Sequence, residues 1–72
     1  MSNSTTFTVN LPSGEIATRT SKTRTYTHAA LAYSNRREAW FVAGWSGTEK
    51  GAQAMAAREA KYGADTRVVP VV

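Results

Sequence analysis

Phe7, Val9 and Leu11 alternate with Thr6, Thr8 and Asn10, the period of two that marks a strand with one buried face. Pro12-Ser13-Gly14-Glu15 then reads as a turn, because proline presets the second turn position and glycine accepts positive φ. Ile16 to Thr20 returns as a second strand and completes a hairpin. The threonine-rich, basic segment Ser21 to Thr25 is either an extended continuation or a loop. Tyr26 to Ser34 reads as a third strand from its aromatic, threonine and leucine content, although three alanines dilute the signal.

Ser34-Asn35-Arg36-Arg37 turns this strand into a fourth, Glu38 to Ser46. With Asn35 and Arg36 as the central turn residues, Leu31 falls opposite Trp40, Ala29 opposite Val42, Ala30 opposite Phe41, His28 opposite Ala43 and Tyr26 opposite Trp45. One face would then carry Ala29, Leu31, Trp40 and Val42. The other would carry Tyr26, His28, Ala30, Phe41, Ala43 and Trp45. Both faces hold large apolar groups, and one helix covers only one of them.

After Ser46-Gly47 the period changes to that of a helix in the run TEKGAQAMAAREAKY. Ser46-x-x-Glu49 fits a capping box and Thr48 is an equally good N-cap, so the helix starts within two residues of Thr48. Gly63 supplies a left-handed stop, with Lys61 in the last turn. Ala52, Met55, Ala56 and Ala60 form the inward face, small enough for the helix to approach a sheet closely. Thr66 to Val72 reads as a last strand, placed at an edge or chain contact because Pro70 donates no ladder bond. The fold class is α+β: a small antiparallel sheet of four to five strands with one helix on one face, in the order β-β-β-β-α-β. Residues 1–5 form a frayed tail and residues 6–72 a single domain.

The length of 72 residues limits the chain to one small core, which leaves homo-oligomerisation as the remaining source of added stability. Cysteine is absent and His28 is the single histidine, so disulfides, thiolate metal sites and a histidine-built zinc site are excluded. The apolar runs are too short for a membrane span, and MSNSTTF lacks the cation-then-apolar order of a signal peptide. A cytoplasmic location, in a bacterial or phage-infected host cell, is the expectation. The acids Glu15, Glu38, Glu49, Glu59 and Asp65 occur singly, and no serine has a nucleophile-elbow context, so the chain reads as non-enzymatic with no cofactor or metal.

Charge changes the picture by its distribution. The formal net charge is +4, and Arg19, Lys22, Arg24, Arg36 and Arg37 lie between Ile16 and Arg37 with no acidic residue among them. This segregation favours an anionic partner, and nucleic acid is the first expectation, with Trp40 as the accompanying exposed aromatic. A guanidinium offers a fork matching two acceptors on a phosphate or a guanine edge. The threonines of the same stretch suit phosphate contacts and equally suit any exposed strand. Tyr26 and His28 share a parity with Lys22 and Arg24 and read either as a base-stacking set or as core margin. Gly44-Trp45-Ser46-Gly47 before the helix lacks the lysine and length of a P-loop. The competing expectation is a binder of a host protein through Leu31, Trp40, Val42, Val69 and Val71, with a homodimer as an overlapping reading.

The run YTHAALAYSNRREAWFVAGWSGTEKGAQAMAAREAKYGAD resembles the DNA-binding domain of plant ethylene-response factors and the related three-stranded domains of phage integrases. It covers a little over half the chain. The basic first strand of that pattern is represented by Arg19, Lys22 and Arg24 and its glycine-aromatic step by Ala43-Gly44-Trp45, while the C-terminal strand has no counterpart. The resemblance implies a three-stranded sheet in the major groove, with Arg19, Arg24 and Arg36 or Arg37 at phosphates or guanine edges and Trp40 against the sugar-phosphate wall. As a whole the chain also resembles small uncharacterised accessory proteins of actinobacterial phages, a likeness that implies no activity.

Overall fold

The computed structural model describes residues 4–72 and contains β1 (Thr5–Asn10), β2 (Ile16–Ser21), β3 (His28–Ser34), β4 (Ala39–Ser46), α1 (Glu49–Ala60) and β5 (Thr66–Pro70). The expected tail thus lies outside the described residues at 1–3, and Thr5 already belongs to β1. All strand pairs are antiparallel, as the α+β reading requires, and the five strands divide into a β1-β2 hairpin and a three-stranded sheet ordered β4-β3-β5. Past β5, Val71 N–H donates to Thr27 O and continues the β3-β5 pairing, and Val72 N–H donates to Thr8 O of β1 and joins the two sheets, each at 2.8 Å.

The division solves a burial problem. β3 is central, and Ala29, Ala30, Leu31 and Ala32 are all fully buried, so the strand is covered on both faces. α1 covers the face of Ala30 and Gly44, which are cross-strand partners. A Cβ on Gly44 would lie 2.5 Å from Met55 Sδ, so the missing side chain makes room for the helix. Ala52 and Ala56 are buried in the same layer. The β1-β2 hairpin covers the other face, where Val9 and Leu11 pack with Ala29 and Leu31, flanked by Trp40, Val42, Trp45, Val69 and Val71. The second face, expected to be free or dimeric, is therefore filled from within the chain.

Local chemistry sets the connections. Leu11 N–H donates to Glu15 O and Gly14, at φ 95°, donates to Leu11 O, which closes the hairpin turn. Thr48 is the N-cap, its hydroxyl accepting from Gly51 N–H at 3.0 Å. Gly63 at φ 85° ends the helical segment as expected.

The β3-β4 register corrects the expected one. The turn holds four residues, Asn35 to Glu38, with Glu38 in the left-handed region at φ 53° and Arg37 N–H donating to Ser34 Oγ. Ser34 pairs with Ala39, Tyr33 with Trp40, Ala32 with Phe41 and Leu31 with Val42. This is a slip of two from the expected pairing, which leaves every side chain on its face. Then a bulge between Ala30 and Leu31 shifts the partners, so that Ala29 meets Trp45 and His28 meets Ser46. That single extra residue turns Trp45 from the helix side to the hairpin side, where it packs against Tyr26 at 6.0 Å between ring centroids. Tyr26 in turn meets Phe7 edge to face at 5.2 Å and is buried, which places it in the core.

Candidate nucleic-acid interface

The five cations of the acid-free stretch are exposed, but they form two groups rather than one surface. Lys22 and Arg24 lie in the link that enters β3 at His28, and Arg36 and Arg37 lie in the turn that leaves it after Ser34. The rest of the link, the seven residues of β3 and Asn35 lie between them, so the two pairs sit beyond opposite ends of a strand about 23 Å long at ~3.3 Å per residue. The link is shaped by Ser21, whose hydroxyl accepts from Arg24 N–H at 3.0 Å. Arg19 behaves differently. Its Nε donates to the Tyr26 hydroxyl at 3.2 Å and its guanidinium lies 5.5 Å from that ring's centroid, so it caps the edge of the Phe7–Tyr26 cluster while remaining exposed.

Electrostatically these groups are uncommitted. Among the described residues, the one close basic-acidic contact is His28 Nε2 to Glu49 Oε2 at 3.7 Å, and no lysine or arginine is ion-paired. His28 Nδ1 also lies 2.9 Å from Thr27 Oγ1, which accounts for the ring at both nitrogens as a link between strand and helix start. Among the same residues, no three acidic or histidine side chains group to hold a metal ion, and no helix is long and apolar enough to cross a membrane.

The turn end of the sheet carries its own aromatic group of Tyr33, Trp40 and Phe41. Trp40 is half-buried on the hairpin side, edge to face with Tyr33 at 5.6 Å, and the Arg67 guanidinium lies 5.7 Å from its ring centroid. On the helix side, Phe41 keeps 36% of its surface exposed and lines a cavity of about 260 Å³ with Ser34 and Arg37. The structure therefore gathers Arg36, Arg37 and Trp40 of the expected set at one end, and leaves Lys22 and Arg24 at the other. Sequence reasoning missed Tyr33, Phe41 and Arg67. Arg67 had a usable signal, being the one charge in the apolar run TRVVPVV.

Of the residues expected to meet a protein partner, Leu31 is fully buried under the hairpin. Trp40, Val42, Val69 and Val71 pack partly buried against the same cluster. These side chains stabilise the two-layer contact and do not form an open apolar face. Among the described residues, the large apolar side chains that remain exposed, Ile16, Phe41, Tyr62 and Val72, come from different parts of the fold. Compared with known proteins, the chain matches no family model, no curated protein and no solved structure.

Proposed function

We propose that the protein is a small, non-catalytic nucleic-acid-binding module that holds the sugar-phosphate backbone through two cation pairs, Lys22 with Arg24 and Arg36 with Arg37. The observation that carries this reading is that these exposed cations have no carboxylate partner, so their charge is available to an external anion. The two pairs lie beyond opposite ends of β3, so a ligand strand lying along it reaches both. Cation contacts of this kind supply affinity and orientation with little sequence preference.

Binding to a labelled 20-nucleotide DNA followed across a salt series tests the proposal. Four neutralised phosphates give a log-log slope of about −3 for a single strand and about −3.5 for a duplex. Replacing either pair by alanine lowers the slope magnitude by about 1.5 to 2, and replacing both removes most binding. Absence of binding to single-stranded DNA, duplex DNA and RNA at low salt refutes it.

A further inference from the structure

The cavity beside the β3-β4 turn brings Arg37, one of the backbone-binding cations, together with two groups that backbone binding alone does not require, Phe41 and Ser34. Phe41 presents a partly exposed aromatic ring on edge strand β4, paired with Ala32 and facing the helix side. Arg37 brings a guanidinium with no carboxylate partner. The Ser34 hydroxyl accepts Arg37 N–H at 3.2 Å and still has its own proton to donate. All three line one space of about 260 Å³. The space is a groove about half open to solvent, so a flat ring lies against Phe41 without being enclosed.

We infer that this cavity takes one unpaired nucleotide, its base stacked on Phe41, its phosphate held by Arg37 and a polar edge or phosphate oxygen accepting from Ser34. The inference rests on the nucleic-acid reading and narrows it to single-stranded ligands. In a duplex both faces of each base are occupied by neighbouring bases, so Phe41 has nothing to stack on. In a single strand the base swings out, and aromatic stacking joins the electrostatic contact. Apolar burial alone does not explain the site, because Phe41 retains exposed ring surface beside a guanidinium and a hydroxyl.

The test compares fluorescence anisotropy of a labelled 20-nucleotide single strand and its duplex, with free adenosine monophosphate as competitor, for the full chain and three variants. Phe41→Ala is expected to weaken single-strand binding by about five- to 150-fold and to leave duplex binding unchanged. Phe41→Tyr, which keeps a ring, is expected to retain the wild-type preference. Arg58→Ala, on the exposed helix surface, serves as a control for loss of one positive charge. Should Phe41→Ala fail to fold, Phe41→Leu supplies the same comparison with apolar bulk and no ring. Equal affinity for single strand and duplex, or unchanged single-strand binding in the ring-less variant, overturns the inference and leaves backbone binding standing. Competition by the free mononucleotide at concentrations matching the strand overturns the polymer form of the proposal, and absence of any binding removes both.

Discussion

The two faces of the three-stranded sheet are covered by opposite means. On the helix side small residues meet small residues: Ala30 and Gly44 lie beneath α1, whose buried positions are Ala52 and Ala56. On the hairpin side Leu31 and Trp45 meet Val9 and Leu11, and volume rather than proximity fills the layer. The helix side depends on what is absent from a side chain, and the hairpin side on what is present. Enlarging a residue should therefore damage one face and truncating a residue the other.

Leu31→Ala should have the largest effect. Removing a fully buried branched side chain costs about 3 kcal/mol, out of roughly 4–11 kcal/mol for a domain of this length. Urea unfolding followed by tryptophan fluorescence and by far-ultraviolet circular dichroism should show both transitions moving together, since β3 belongs to both layers. Separate midpoints would show that the hairpin detaches independently and would break the comparison. Gly44→Ala comes next, at about 1–2 kcal/mol, because the added methyl meets Met55 Sδ. In a Met55→Ala background that cost should largely vanish. A double-mutant cycle measures the coupling, and additive effects would place the constraint elsewhere.

Thr48→Ala removes the hydroxyl that accepts Gly51 N–H and should lower stability by about 1 kcal/mol, read from the same denaturation curves. The smallest stability effect is expected for Arg36→Ala with Arg37→Ala, within about 0.5 kcal/mol, since neither forms an ion pair. A large loss of stability in that variant would mean that the turn arginines hold the sheet together, against their assignment to an external anion.

Much of this architecture is written in local chemistry. Phe7, Val9 and Leu11 announce β1 by alternation, Thr48 and Gly63 bound the helical segment, and Pro70 marks an edge strand. The β3-β4 register was not legible, because the left-handed turn position is filled by Glu38, a residue type that gives no sign of it. The bulge that redirects Trp45 was equally hidden, since it depends on which neighbours must be filled rather than on local propensity. The most buried strand carries alanines, which have weak strand preference, so tertiary packing decides its place. The candidate site was half visible. Clustering of charge along the chain was real, but an intervening strand parts Lys22 and Arg24 from Arg36 and Arg37, and Phe41 acquires its surroundings only through the turn geometry.

The pairing of β5 with β3, and of Val72 with Thr8, has a kinetic consequence. Neighbouring hairpins and the helix form from local encounters, whereas these two seams close loops that span much of the chain. Until they close, β3 offers an open edge to any extended polypeptide nearby. Refolding should consequently be slower than in a helical bundle of equal length, and concentration during renaturation should decide how much material is lost to intermolecular strand pairing.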